Sequence, residues 1–317
     1  MKKLIFCLLA ITVAIGACNE SGRSDKDHDK DSDEMQEHGV QSGAKTSFAK
    51  ITSLPAGIEA IFGKEPSREN GFYKFSFPRT DLKVTADGIN IDPRLAFTTW
   101  FAFMPEQNSS KAMLMGDMVL LETELPAVEK KLEEEGIDIT AIHNHLLNES
   151  PKVMYLHVGA TGDPVDLCNK LKEVLALTGT PLKATFNDPS GKVDWGNTAQ
   201  ILGLTGKQNG PVLSFGVPRK EKLTEGGMEL PSGFGVSTGI AFQKMGDKAA
   251  ITGDFVLMAN EVNPVVKALT QNGITVTAIH NHMLEDDPRL FMMHFWAVGN
   301  PEDLAKGLKA ALDKTHS

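Results

Sequence analysis

Six histidines recur in one pattern. His143-Asn144-His145 is followed by His157, and His280-Asn281-His282 by His294, so H-N-H-x11-H is written twice, 137 positions apart. The chain holds nine histidines; the other three, His28, His38 and His316, lie near its ends. Imidazole is a frequent metal ligand and titrates near neutral pH. Side chains alternate along a strand, so His143 and His145 are expected on one face with Asn144 on the other. Glu149-Ser150-Pro151 and its twin Asp286-Asp287-Pro288 suit hairpin loops. A symmetric hairpin would set His143 opposite His157 and His145 opposite Tyr155, with Cβ atoms about 4.5–5.5 Å apart. Three imidazoles crowded on one patch need a shared partner, and a divalent ion supplies one. His143, His145 and His157 are therefore expected to form one metal site, and His280, His282 and His294 a second. Three histidines with an open fourth position suit catalytic zinc, and Fe, Mn, Ni or Cu as well. A hydrogen-bonded polar network is the alternative.

Carboxylates are natural fourth ligands or orienters of the ligands. Glu149 is the candidate base or fourth ligand and Tyr155 the candidate donor in the first copy; Asp286 and Met292 replace them in the second. Arg79 and Arg219 follow strand-like segments. Either could clamp an anionic substrate through its planar fork or pair with a nearby acid. Asp117 and Asp254 interrupt apolar strands, which is costly unless they find partners. Glu124 and Glu261 precede helices, where an acid also favours the helix dipole.

The elements that must position these residues form a duplicated unit. Ala112–Gly162 aligns with Ala249–Gly299 without a gap, and Asn70-Gly71 and Pro78-Arg79 correspond upstream to Asn209-Gly210 and Pro218-Arg219. Strands are expected at Phe72–Phe77, Ala96–Phe103, Ala112–Leu121, Ile139–Leu147 and Val153–Gly159. Helices are expected from Pro126 to Glu135, ending at Gly136, and from Asp163-Pro164 to near Gly179. In the second copy Asn263 is the expected N-cap before Pro264, and Asn300-Pro301 starts the last helix. Short lead-in helices are expected at Ile58–Phe62 and Thr198–Leu202. The class is α+β: two tandem βββαββα-like repeats, a mostly antiparallel sheet with helices on one face. The repeat domains are placed at 44–190 and 191–317, joined near Asn187-Asp188-Pro189-Ser190-Gly191.

The N-terminus reads as targeting. Lys2-Lys3, the apolar run Leu4–Ile15 and Gly16-Ala17-Cys18 suit a signal peptide over 1–17. Ile15-Gly16-Ala17-Cys18 resembles a bacterial lipobox, which implies a lipid on Cys18 and membrane partnership through it. Residues 18–43 are polar and acidic, an expected tether. Cys7 leaves with the signal, so Cys168 is the one thiol left to the body and is expected to be buried on a helix. The net charge of −9 disfavours a nucleic-acid partner.

The runs Phe77-Pro78-Arg79, Met115-Gly116-Asp117, Thr140-Ala141-Ile142-His143-Asn144-His145-Leu146-Leu147, Glu149-Ser150-Pro151 and His157 resemble the LppY/LpqO lipoprotein family, a domain-of-unknown-function family of bacterial, mostly exported proteins. The resemblance spans both repeats, roughly 45–315. It implies a lipoprotein exported and anchored to a bacterial membrane, periplasmic or at the cell surface, and implies no reaction. Two readings stay open: a metal-dependent hydrolase, or a non-catalytic lipoprotein that binds a metal or a small, envelope-derived ligand.

Overall fold

A computed structural model describes residues 48–186 and 193–316. The signal and tether segments, Cys18, His28, His38 and the 187–191 junction lie outside the described residues. Both repeats fall within one compact unit, Lys45–Ser317. Among the described residues there are seven helices and two equivalent six-stranded antiparallel sheets. No helix there is long and apolar enough to cross a membrane.

In the first sheet the strands run Ser67–Arg68, Tyr73–Pro78, Thr98–Pro105, Ala112–Leu121, Val153–Gly162 and Asp138–His143 in spatial order. The second sheet repeats this as Lys207–Asn209, Val212–Pro218, Ser237–Met245, Lys248–Leu257, Phe291–Gly299 and Thr275–His280. Period two sorts the side chains of Ala112–Leu121 onto two faces. Leu114, Met118 and Leu120 join Val128 and Leu132 of helix Leu125–Glu135 and Leu167 and Leu171 of helix Pro164–Leu175 in one core, with Cys168 buried among them. Met115, Asp117 and Val119 point the other way, toward the second repeat, where Met115 and Val119 enter two cores shared by both repeats. The helices thus cover one face of each sheet, and the repeats meet on the opposite faces.

Each repeat also lends an arm to the other. The segment Val84–Phe97, holding the short strands Thr85–Ala86 and Ile89–Asn90, packs with Val212, Ala250 and Trp296 of the second sheet. The segment Leu223–Val236 packs reciprocally with Phe72, Ala102, Met104 and Met115 of the first. Gln243 fastens the first arm by accepting from the Asp92 N–H and donating to the Asn90 carbonyl, both at 2.8 Å.

Several expectations change. The strand expected to run to Leu147 ends at His143, so His145 lies beyond the ladder. A bulge between Ile139 and Ala141 sets Ala141 opposite His157 and His143 opposite Tyr155, which replaces the expected His143–His157 and His145–Tyr155 register. The chain then turns through Asn148, at φ 56°, and Glu149–Ser150 pairs with Thr85–Ala86 of the arm rather than acting as a simple loop. In the second repeat the helix spans Ala259–Gln271, with Met258 rather than Asn263 as its cap and Pro264 inside it. The Glu261 carboxylate accepts the Met258 N–H at 2.8 Å, which starts the helix upstream; Pro264 forgoes one backbone bond. The lead-in helices lie at Ile58–Phe62 and Thr198–Leu202, and Asp163 and Asn300 cap the last helices through their side chains.

Candidate metal centre

The H-N-H segments of the two repeats lie against each other, and their non-histidine residues do the joining. The Thr140 hydroxyl donates to the His282 carbonyl at 2.6 Å, and the Thr277 hydroxyl to the His145 carbonyl at 2.5 Å. The Asn281 amide donates to the Thr140 carbonyl at 3.2 Å and to its own repeat's Met283 carbonyl at 2.9 Å. Asn144 makes the reciprocal bonds, to Thr277 at 3.5 Å and Leu146 at 3.2 Å. The T-A-I-H-N-H run is thus a brace between repeats as well as a carrier of imidazoles.

That brace merges the two expected triplets. The His143 and His280 rings stack with centroids 3.5 Å apart, His145 meets His294 at 3.7 Å and His157 meets His282 at 3.9 Å. Within the first repeat, by contrast, His143 lies 5.2 Å from His145 and 5.0 Å from His157. Each imidazole is therefore closer to one from the other repeat than to these partners of its own. The Nε2 atoms of His143 and His157 do approach to 2.8 Å. Ligand atoms of His143, His280, His282 and His294 lie within 4.8 Å of one another, so this set, drawn from both repeats, could hold a metal ion.

Two carboxylates adjoin the cluster. Asp117 is opposite His157 in the sheet, and Asp254 is opposite His294. Asp254 Oδ2 lies 3.3 Å from His282 Nε2, and Asp117 Oδ1 lies 3.9 Å from His157 Nε2. Burial governs the electrostatics. It depresses His143 to about 3, with help from the neighbouring His280, and His280 to about 4. His145, His157, His282 and His294 are held well below the usual imidazole range by burial and then by each other. Burial pushes Asp117 up to about 8 against the pull of Lys74, and raises Asp254 strongly, reinforced by Asp117. At neutral pH the imidazoles are therefore neutral, the form that binds metals.

The donor set fits a cation. His157 Nδ1, His280 Nε2, both nitrogens of His282, His294 Nε2 and one oxygen of each aspartate are buried without hydrogen-bond partners. Leaving a buried polar group unpaired costs about 1–3 kcal/mol, and native proteins keep few such atoms. A neutral imidazole carries one N–H and one lone pair, so one nitrogen from each of His143, His280, His282 and His294 can face a common divalent ion. A cleft of about 370 Å³ opens on the cluster and reaches Asp117, Asp254, His145, His157, His282 and His294.

The other candidate residues are placed differently. Arg79 is fully buried and committed: its guanidinium donates to Glu124 at 2.9 and 3.1 Å, to Asp81 and to the Val119 carbonyl. Arg219 repeats this with Glu261, Glu221 and the Val256 carbonyl. Of the two roles open to Arg79, the ion pair is the one adopted, and no donor is left for a substrate. Glu149 accepts the Val153 N–H at 3.0 Å, and Asp286 accepts the Leu290 N–H at 2.6 Å. Both brace the same turn, so the two acids are equivalent in place. Burial lifts Glu149 to about 7, but it is not in the ligand group above. The Tyr155 hydroxyl donates to the Ala96 carbonyl at 3.2 Å, and its ring stacks on His145 at 3.2 Å; it buttresses an imidazole of the cluster. Asp117 and Asp254, which the sequence marks only as acids in need of partners, are the carboxylates that the sheet sets beside the cluster. Their repeated Gly-Asp placement inside apolar strands was the available signal.

The family described as Domain of Unknown Function (DUF1259) matches residues 56–177 and 196–314, and the chain belongs to it, once per repeat. No curated protein matches. Among solved structures the chain is similar to a trimeric bacterial microcompartment shell protein, PduB, at 10% identity over 77% of this chain and 86% of that one, with a TM-score of 0.17. EtuB from Clostridium kluyveri is similar at 9% identity over 78% and 87%, with a TM-score of 0.18. Likeness at that level carries no structural or functional inference.

Proposed function

We propose, for this duplicated member of a family whose description names no activity, a lipid-anchored bacterial envelope protein that binds one divalent metal ion between its repeats and uses it in hydrolysis. The observation that carries the metal reading is the set of buried, unpartnered imidazole nitrogens gathered from both repeats. The cleft favours chemistry over storage, because it has room for solvent and a small molecule beside the cluster. A bound ion would polarise a carbonyl or phosphoryl oxygen or acidify a water. Around it, Asp117 and Asp254 would serve as proton carriers, since burial keeps them protonated well above the usual carboxylate range; either would ligate the ion only after losing its proton. Tyr155 would hold His145 in place. Glu149 and Arg79 would act through the turn and the core rather than at the reacting atoms.

The lipid anchor rests on Ile15-Gly16-Ala17-Cys18 and on the resemblance to the LppY/LpqO lipoproteins. Cys18→Ser should release the protein from the membrane fraction. For the metal, purified full chain is stripped with chelator, titrated with Zn, Mn, Fe, Ni and Cu ions, and screened on phosphate and carboxylic esters. Tight binding of one equivalent, with turnover that chelator abolishes, is expected. Failure of all five ions to bind would overturn the metal reading; binding without turnover on any ester would leave a metal-binding lipoprotein instead.

A further inference from the structure

The duplication fails in one place that the shared centre does not explain. Strand register makes Trp100 the counterpart of Gly239, because Trp100 is paired with Asp117 and Gly239 with the equivalent Asp254. By the same ladders Ser76 corresponds to Gly216 and Lys74 to Ser214. In the first repeat Trp100 reaches the arm of the second: a Cβ added to Gly235 would lie 2.5 Å from Met115 Sδ and 3.5 Å from the Trp100 ring. In the second repeat the equivalent space is vacated. A Cβ at Gly216 or Gly239 would meet nothing within 4 Å, and neither has a positive φ. Contrast Gly116 and Gly253, where a Cβ would strike Phe101 and Phe295 within 3 Å. Packing demands glycine at those two sites. At 216 and 239 neither packing nor backbone does, and glycine in a strand interior is mildly destabilising. Of the two, Gly239 lines the cleft, and its missing side chain leaves room there beside the aspartates.

The cleft also holds a cation, Lys74, that Asp117 and Glu69 influence electrostatically but that neither engages in a salt bridge. Lys74 Nζ rests over the Trp100 ring, 4.0 Å from its centroid, with no ion pair among the described residues. Its counterpart Ser214 faces the same cleft. Arg94, at the rim, is already paired with Asp92 at 2.7 Å. A largely desolvated ammonium over an aromatic face is half of an anion site. The opening of about 370 Å³ suits a small molecule.

We propose that the glycine-walled cleft is the binding site of a small organic oxyanion, a carboxylate or phosphate, with Lys74 as its counter-charge and Trp100 as its wall. This deepens the proposed function by naming the ligand class of that cleft, and rests on it only for a second contact of the oxyanion at the metal. The Lys74 contact does not require the ion.

The test is calorimetric titration of the full chain, metal-loaded and chelator-stripped, with malonate and with inorganic phosphate as probes. At least one probe should bind, and preference for one tells carboxylate from phosphate. Lys74→Met should weaken it about ten- to hundredfold, the scale of one charge-assisted hydrogen bond, while Lys74→Arg retains most of it. Gly239→Trp, which copies the first repeat, should abolish binding with metal content unchanged; Gly239→Leu is the milder blocking variant if the indole disturbs folding. Anion binding that depends on Lys74 in a protein that takes up no metal would keep this proposal and overturn the metal reading. Binding of neither probe at millimolar concentration, or affinity unchanged by Lys74→Met and both Gly239 variants, would overturn the proposal.

Discussion

The two repeats agree at the histidines, at the Thr and Asn residues that join them and at the buried aspartates and arginines, and differ along part of the wall of the cleft. Thr140 and Thr277, Asn144 and Asn281, Asp117 and Asp254, and all six histidines are matched pairs. So are Arg79 and Arg219, and Thr99 and Thr238, whose hydroxyls accept the Val119 and Val256 N–H groups at 2.8 and 3.0 Å. Tyr155 against Met292, Trp100 against Gly239 and Lys74 against Ser214 are not matched. A repeat that carried its own site would keep its wall residues and could let its outward braces drift. The opposite pattern fits one centre assembled from both halves, with ligand access built on one side.

The comparison is most severely stressed by acid. The six imidazoles are held below their unfolded value of about 6.5, so the unfolded chain binds protons that the folded chain refuses. Stability should therefore be intact above about pH 6.5 and fall as pH drops toward 4, where His280 itself begins to protonate. The raised aspartates oppose this: their folded-state preference for the proton favours the fold in acid and costs stability as pH rises toward 8. With six histidines against two acids, urea unfolding of stripped protein should show a steep acid loss below pH 6, unchanged in Arg79 or Arg219 variants. A flat profile from pH 7 to 4.5 would mean that the imidazoles are not buried together.

Next in size is the matched arginine network. Arg79→Met or Arg219→Met leaves two carboxylates beside a core without their cation, and breaking a buried pair typically costs about 3–5 kcal/mol. Equal losses in the two repeats are expected by chemical denaturation. A loss in one only would show that the repeats do not carry equal structural weight. Smaller still is the brace. Thr140→Val and Thr277→Val each remove a donor from a buried carbonyl and should cost about 1–3 kcal/mol. Either change should also weaken metal binding by loosening both H-N-H segments. A Thr140→Val effect confined to His143, His145 and His157, read from imidazole NMR shifts, would restore the picture of two separate sites.

Much of this was legible in the sequence. The 137-residue repeat, the lead-in helices, the strand Ala112–Leu121 and the side-chain caps at Asp163 and Asn300 follow from patterning and local chemistry. The register around His143 did not, because a bulge and an arm that pairs with Glu149–Ser150 depend on contacts distant in sequence. The meeting of the two triplets was also hidden. Spacing within a repeat describes one strand's face and says nothing about which surface that face covers. Thr140 and Asn144 could not be separated from strand filler until their partners in the other repeat were seen. Lys74 and Trp100 carried no signal, since the repeat drew attention to what is shared.

Metal stoichiometry in single-histidine variants tests the shared centre most directly. Full-length chain, His143→Ala and His280→Ala are purified under identical conditions, loaded with zinc, desalted and analysed for metal per chain. A centre built from both repeats predicts one tightly held equivalent in the parent and near-complete loss in each variant, although the two residues belong to different repeats. Two equivalents in the parent, with each variant losing one and keeping the other, would contradict it.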